Sequence, residues 1–272
     1  MTTVKIHQIY YSPESFAALD KGFIPLDNTH GRSDWMEYWP IRQYFLNTPV
    51  GDDELVGFFS PRFFEKTGLT ATDVHAHIEA NPGRDVYLFN PYFHLAAWHE
   101  NVFVQAKHSH PGIAQATQDI LKIIDIEIEL DKIIMSSMNT VFCNYFVANI
   151  EFWRKWLMIC ELIFQICENE NASQSHSLNE KTNYIRGAMP MKIFIIERIA
   201  SLLLGSTNKW KINQKFIFKN LSYQYKKDLP FVELMHHLDA LKTSFILTRN
   251  PHFLSLYNSQ KHELINEYGL FV

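Results

Sequence analysis

The first sixty residues of the chain alternate between short apolar segments and polar or helical ones. Residues 4–11 and 22–28 have the pattern of buried strands, and a third such segment, 55–62, ends on a cation. An aromatic helix is predicted to begin at Asp34, between the second and third strands. Strands that recur after helical segments indicate βαβ units and a largely parallel sheet. Because open sheets of this kind bind ligands at the carboxyl ends of their strands, the polar residues that follow these strands are the first site candidates.

The same alternation continues along the rest of the chain. Thr70 is a typical N-cap for a helix that the Asn-Pro-Gly run at 81–83 stops. Further strands are predicted over 85–89 and 139–148, and further helices over 98–107, 113–124, 151–167, 190–204 and 231–248. We therefore expect an α/β fold with a Rossmann-like, mostly parallel central sheet flanked by helices. We expect this domain to cover residues 1–205 and a helical C-terminal extension to cover 206–272.

Composition excludes several classes of protein. A net charge of -4 and a pI near 6.3 argue against nucleic-acid binding, which requires a basic face. The three cysteines show neither a CxxC pair nor the spacing of a disulfide framework. The chain begins without a secretion signal and has no run of 18 apolar residues. These features predict a cytoplasmic protein.

Common catalytic motifs are missing from the sequence. Of the 13 histidines, none has a spacing that indicates a zinc site; His75 and His77 diverge on a helix because they are two residues apart. There is no G-x-S-x-G, no P-loop and no G-x-G-x-x-G. Serine hydrolases, P-loop NTPases and dinucleotide-dependent dehydrogenases are therefore poor candidates.

Two charged features stand out instead. Glu197 and Arg198 lie inside an otherwise apolar helix turn, so they must either face a cleft or be paired internally. Both alternatives remain open from the sequence. Arg62 follows a predicted strand, where its guanidinium could bind phosphate oxygens through two hydrogen bonds. The alternative for Arg62 is a surface salt bridge.

Four short segments resemble those of a known enzyme family in their order and spacing. They are I-H-Q-I-Y at 6–10, G-F-F-S-P-R-F at 57–63, N-Y-F-V at 144–147 and E-R-I at 197–199. Together they resemble the bacterial GT-A-fold glycosyltransferases that build capsule and lipopolysaccharide O-antigen chains. In one group of that family the opening strand has the form I-H-Q-I-W. The resemblance extends over about residues 4–204, some three quarters of the chain.

The resemblance implies a GT-A-like fold and transfer of a sugar from a nucleotide-sugar, most simply a UDP-sugar. The acceptor would be a saccharide or a lipid-linked molecule in surface polysaccharide synthesis. Glu197 would act as general base or position the sugar, and Arg62 would stabilise the diphosphate leaving group. Asn144 and Arg198 would line the acceptor or sugar pocket. The remaining implied residues would border the nucleotide-sugar: His7, Gln8, Tyr10, Asp27, Asn28, Arg42 and Ser60.

One departure from the family concerns the metal. GT-A enzymes typically hold Mn²⁺ or Mg²⁺ with a D-x-D after a central strand, whereas the candidate strands here end in S-P-R at 60–62 and N-P at 90–91. Either protein cations replace the metal, or a single acid such as Asp27 serves. The missing motif also leaves a second hypothesis open, a non-catalytic glycosyltransferase-like subunit that binds sugar or a sister enzyme.

The segment 209–227 is rich in lysine and aromatic residues. Such a segment could rest on an anionic membrane surface, where a lipid-linked acceptor is displayed. In that interpretation the extension would face the acceptor or the membrane, and the protein would be peripheral to the inner face of the cell membrane. An ordinary surface patch is the alternative.

Overall fold

The computed structural model describes residues 2–169, 171–172, 174–182, 187–219 and 229–268. In this part of the chain, six strands form a central sheet in the order β2-β1-β3-β5-β4-β8, and β6 and β7 form a separate two-stranded pair. The strands are β1 (Thr3–Tyr10), β2 (Ile24–Asp27), β3 (Glu54–Phe59), β4 (Val86–Leu88), β5 (Phe146–Asn149), β6 (Lys181–Thr182), β7 (Met189–Pro190) and β8 (Ile212–Gln214).

The central sheet is mostly parallel. β1 runs parallel to both β2 and β3, and β4 runs parallel to β8. β5 is antiparallel to its two neighbours, β3 and β4. The predicted α/β class, with a mostly parallel sheet flanked by helices, is therefore confirmed and is compatible with a Rossmann-like fold.

Helices cover both faces of this sheet. Within the described residues they are α1 (Pro13–Ala17), α2 (Tyr38–Asn47), α3 (Phe63–Thr67), α4 (Ala71–Ala80), α5 (Phe93–Trp98), α6 (Val102–Ser109), α7 (Ile113–Ile123), α8 (Ile150–Glu168), α9 (Ser175–Asn179), α10 (Met191–Gly205), α11 (Leu229–Thr248) and α12 (Pro251–Tyr268). None of these is at once long enough and apolar enough to cross a lipid bilayer.

The alternation of side chains along β3 produces two cores, one on each face. Val56 and Phe58 point into the larger core, which contains α8, whereas Leu55 and Phe59 point into the smaller core with α4. Trp153 of α8 fixes this packing, because its indole nitrogen donates a hydrogen bond of 2.9 Å to the Val56 carbonyl. Both faces of β3 are therefore buried, as its nearly continuous apolar sequence predicts.

Three predicted elements differ from the structure. The aromatic helix predicted to begin at Asp34 begins only at Tyr38, since Met36 has a positive φ angle and cannot belong to a helix. The strand predicted over 139–148 begins only at Phe146, because Cys143 and Asn144 have positive φ angles and cannot belong to a strand. The helix predicted over 98–107 is two helices, α5 and α6. The break occurs at Asn101, whose side chain caps α6 by accepting hydrogen bonds from the backbone N–H groups of Phe103 and Val104.

Residues after 205 join the central domain in two ways. β8 adds an edge strand to the sheet beside β4. α11 packs on α5, where the Lys242 ammonium donates hydrogen bonds to the carbonyls of Ala96 and His99. Tyr257 of α12 donates a hydrogen bond to the carbonyl of Trp98. The C-terminal helices are thus tied to the helix that follows β4.

A Gly57→Ala substitution tests the packing between β3 and β5. An added Cβ would lie 2.7 Å from Val147 Cγ2 and 3.1 Å from the Phe146 carbonyl oxygen, so neighbouring strands would have to move apart. We expect a loss of about 1–3 kcal/mol in the free energy of unfolding, measured by urea denaturation. Gly51→Ala is the matched control, since its Cβ would meet only flexible side chains such as Asp53; a change beyond about 0.5 kcal/mol there would contradict the explanation.

Candidate functional site

A cavity of about 530 Å³ lies at the carboxyl ends of the parallel strands. We call it the sheet-end cavity. Its wall contains Ser60 after β3, residues 35–38 at the start of α2, Tyr92 after β4, residues 142–144 before β5, and one face of α10. The chain leaves β1 toward β2 on one side and returns to β3 on the other, so the strand order reverses between β1 and β3. Crevices beside such a reversal are the usual ligand sites of open α/β sheets.

Glu197 is the carboxylate that α10 places in this cavity. Its Oε1 accepts a hydrogen bond of 2.7 Å from the backbone N–H of Cys143. A backbone donor at this distance fixes the direction of the carboxylate. Glu197 is therefore held as an oriented acceptor.

Glu37 places a second carboxyl group in the same cavity. Burial raises the pKa of the Glu37 carboxyl above its ordinary value, and the negative charge of Glu197 raises it further. Two carboxyl groups whose environments differ in this way can divide the roles of proton donor and proton acceptor. The raised pKa makes Glu37 the candidate for the proton donor.

Arg62 and Lys66 bring positive charge to the cavity. Arg62 immediately precedes α3 and donates two hydrogen bonds to Glu65, one of them 2.7 Å long from Nε to Oε2. The Lys66 Nζ donates a hydrogen bond of 3.0 Å to Cys143 Sγ. Burial raises the pKa of the Cys143 thiol to about 12, so this group is neutral at physiological pH.

The backbone around the cavity is strained. Among the described residues, three of the five non-glycine residues with positive φ line this cavity: Met36 at 44°, Cys143 at 62° and Asn144 at 53°. Such conformations persist only where surrounding contacts hold them, and they concentrate at functional sites. The Oδ1 of Asn144 is buried without a hydrogen-bond partner among the described residues, so it can accept a hydrogen bond from a ligand hydroxyl.

Five of the residues predicted from the sequence meet in the sheet-end cavity: Ser60, Arg62, Asn144, Glu197 and Arg198. The Arg198 guanidinium nevertheless donates its hydrogen bonds to groups inside the protein, namely the carbonyls of Val102 and Phe194 and Gln105 Oε1. Burial lowers the pKa of its guanidinium. The two alternatives for this pair were a cleft and internal pairing. Glu197 faces the cleft, whereas the guanidinium of Arg198 is hydrogen-bonded inside the protein.

His7 and Arg42 lie outside this cavity. The His7 ring packs in the larger core with its centroid 4.6 Å from that of Tyr44, and burial lowers its pKa to about 4. Arg42 forms an ion pair of 2.6 Å with Glu161 on α8. Both residues therefore stabilise the packing of α2 against its neighbours.

The other four predicted residues do not line the sheet-end cavity either. Gln8 links two segments through its side chain, accepting from the Asp20 N–H and donating to the Ser60 carbonyl. Tyr10 packs edge-on against Phe16. Asp27 and Asn28 line a separate groove of about 380 Å³ between the end of β2 and α2. In that groove Asp27 accepts hydrogen bonds from the N–H and hydroxyl of Thr29, which lower its pKa.

Glu37, Lys66 and Cys143 line the cavity but were not predicted from the sequence. A signal for Glu37 was present in the sequence. It is an acid between Met36 and Tyr38 in an aromatic segment, so, like Glu197 in α10, it must either face a cleft or be paired internally. Lys66 carried no such signal, since it belongs to a short amphipathic segment. Its place in the site follows only from the fold.

No group of three or more histidine, cysteine, aspartate or glutamate side chains converges on a metal-sized position among the residues that the structure describes. The sheet-end cavity offers two carboxyl groups, Glu37 and Glu197, beside two cations. This set of side chains is not that of a dedicated metal site.

Comparisons of the chain with family models, with curated proteins and with solved structures give no match.

Replacing Glu37 with glutamine tests the environment of this carboxyl group. Because its pKa is raised in the folded state, the folded protein binds more protons than the unfolded chain above the ordinary pKa of glutamate, and Glu37 lowers stability as the pH rises. We expect Glu37→Gln to be more stable than wild type by on the order of 1 kcal/mol at neutral pH in urea unfolding, and to lose this gain as the pH falls to the ordinary pKa of glutamate. The exposed Glu79→Gln should show no such gain; an equal gain in both variants would contradict the burial of Glu37.

Proposed function

We propose that this protein is a nucleotide-sugar-dependent glycosyltransferase of the GT-A type, acting in the cytoplasm on a saccharide or lipid-linked acceptor for surface polysaccharide. The observation that carries the proposal is one cavity, at the carboxyl ends of the sheet, that combines two carboxyl groups with two cations. The cations suit a diphosphate, and the carboxyl groups suit a sugar and an attacking hydroxyl.

The resemblance of separate segments to this family gains support from their position in the fold. The segments 57–63, 144–147 and 197–199 are far apart in the sequence, yet Arg62, Asn144 and Glu197 line the same cavity. The mostly parallel sheet and its strand-order reversal agree with a nucleotide-binding fold. The specific GT-A assignment is part of the proposal.

In the proposed reaction Glu197 is the general base. It accepts the proton of the acceptor hydroxyl while that oxygen attacks the anomeric carbon, and the bond from this carbon to the nucleoside diphosphate breaks. A direct displacement of this kind inverts the anomeric configuration. The hydrogen bond from Cys143 keeps the Glu197 carboxylate oriented for this step.

Two cations would stabilise the leaving group. Negative charge develops on the diphosphate as the sugar departs, and preorganised positive charge lowers the energy of that state. Arg62 can share its guanidinium between Glu65 and a phosphate, while Lys66 lies deeper against Cys143. Glu37, whose carboxyl has a raised pKa, and Asn144, through its unpaired Oδ1, would hold sugar hydroxyl groups.

The proposal makes a specific prediction about whether nucleotide binding requires a divalent cation. The family uses Mn²⁺ or Mg²⁺ on a D-x-D, and here the strand ends carry no such motif. The side chains of the cavity suit charge stabilisation by Arg62 and Lys66 instead. We therefore expect nucleotide binding that does not require a divalent cation.

The second candidate function is a non-catalytic glycosyltransferase-like subunit that binds sugar or a sister enzyme. The observation in its favour is the missing D-x-D together with the small number of acidic side chains in the cavity. This candidate shares the ligand-binding residues but not the base, so it predicts binding without turnover.

Two substitutions separate binding from chemistry. Arg62→Ala should weaken UDP binding about tenfold or more, because a charge-assisted hydrogen bond to phosphate is lost. Glu197→Gln should leave UDP binding unchanged and lower the rate of UDP release from UDP-sugars by about 10²–10⁴-fold. UDP affinity is measured by thermal shift with and without Mn²⁺, and turnover by release of UDP with and without added saccharide.

Glu65→Ala is the matched control, since it removes the ion-pair partner of Arg62 and leaves the guanidinium in place. It should bind UDP at least as well as wild type. UDP binding without turnover of any UDP-sugar would favour the non-catalytic subunit. The absence of binding by any nucleotide, in folded protein, would overturn the proposal.

A further inference from the structure

A cluster of phenylalanine side chains is exposed on the surface beside the sheet. Phe64 on α3 is 57% exposed, and Phe216 and Phe218, which follow β8, are 51% and 40% exposed. The rings of Phe216 and Phe218 stack at 5.9 Å, and the ammonium of Lys219 lies 5.3 Å from the ring of Phe64. We call Phe64, Phe216, Phe218 and Lys219 the aromatic–basic face. Large aromatic groups grouped on a surface typically mark an interaction site.

The backbone holds these rings outward. Ile217, between the two exposed phenylalanines, is only 5% exposed and packs in the smaller core. The backbone N–H of Lys215 donates a hydrogen bond to the Leu88 carbonyl, so the residue after β8 is still bonded to β4. Because alternate residues of an extended segment point in opposite directions, anchoring Ile217 inward places Phe216 and Phe218 in solvent.

The charge of this segment contrasts with that of the whole chain. Residues 209–219 contain four lysines and no acid, in a protein whose net charge is -4. The Lys219 ammonium also donates to the carbonyls of Phe64 and Glu65, at 3.2 and 2.8 Å, which joins the segment to α3. Four acids lie close by: Glu65 is ion-paired with Arg62, Glu151 is ion-paired with Lys209, Asp85 accepts the Lys211 N–H, and Asp73 interacts with Lys215. The positive charge beside the exposed phenylalanines is therefore that of Lys219, whose ammonium is bonded to backbone carbonyls.

The aromatic–basic face adjoins the sheet-end cavity. Arg62 lines the cavity two residues before Phe64, and Tyr92 lines it one residue before Phe93, against which Phe216 and Phe218 pack. A surface that met this face would therefore lie near the entrance to the cavity. The basic and aromatic sequence continues at 220–227, outside the described residues.

We propose that the aromatic–basic face docks on an anionic phospholipid surface, with the phenylalanines entering the headgroup region and Lys219 contacting acidic headgroups. Exposed aromatic rings beside a lysine, on a protein that is otherwise acidic, match the chemistry of interfacial membrane binding. A lipid-linked acceptor would then reach the sheet-end cavity from the bilayer. That last step rests on the proposed glycosyltransferase function, whereas the docking itself does not.

Co-sedimentation of the full chain with phosphatidylcholine vesicles, with and without phosphatidylserine, tests the docking. We expect binding only to the vesicles that contain phosphatidylserine, and weaker binding at high salt. A Phe216→Ser, Phe218→Ser double variant should bind about tenfold or more weakly. Lys219→Gln should weaken binding roughly fivefold.

Met158→Ser is the control, since Met158 is 53% exposed on α8, which packs on the opposite face of the sheet. It should bind vesicles as wild type does. Equal binding by the double phenylalanine variant, or no binding of folded wild type to anionic vesicles, would overturn the proposal.

Size-exclusion chromatography adds a further test: a wild-type oligomer that the double variant converts to monomer, without vesicle binding, would identify the face as a contact between copies. UDP binding is measured in parallel, so a failure of docking is distinguished from a failure of the nucleotide site.

Discussion

The left-handed turn at Cys143 and Asn144 positions most of the candidate site. Positive φ angles at both residues direct the chain into β5, which runs antiparallel between β3 and β4. The Glu197 carboxylate accepts the N–H of Cys143, so α10 and the turn hold each other in place. Tyr145, which follows Asn144, places its hydroxyl 2.5 Å from that of Ser60 at the end of β3. Because a strained turn persists only under such contacts, the hydrogen bond that orients Glu197 also keeps Asn144 at the cavity wall.

The balance of charge in the cavity follows from this arrangement. The Glu197 carboxylate is oriented by a backbone donor, whereas desolvation and the charge of Glu197 raise the pKa of the Glu37 carboxyl. Both carboxyl groups lie beside the cations Arg62 and Lys66. The cations favour an anionic group, and a raised pKa favours the form of Glu37 that can donate a hydrogen bond to a neutral sugar hydroxyl. The electrostatics therefore suit a ligand that is anionic at one end and polar but uncharged at the other.

The local features of the fold were predictable because they depend on residues close together in the sequence. Thr70 caps α4 with a reciprocal hydrogen bond to Asp73, as its position before the helix indicates. The first four strands of the sheet and the long helix α8 lie where the apolar patterns predict them. The direction of β5 was not predictable, since an apolar strand pairs equally well either way and its direction depends on the turn before it. Cys143 and Asn144 give no sequence signal for positive φ as strong as a glycine would.

The candidate site was predicted in part, and the division has a physical reason. Side chains inside a strand point to the faces of the sheet, and only residues beyond its end can project over the edge where ligands bind. His7 lies inside β1, so its place in the core with Tyr44 follows from the alternation of the strand alone. Ser60 and Arg62 follow β3 and reach the cavity for the same reason. Glu37 reaches it from a loop whose path depends on contacts with distant residues. Sequence reasoning can therefore select the strand ends that face a site, whereas the loops that close the site over them require the folded chain.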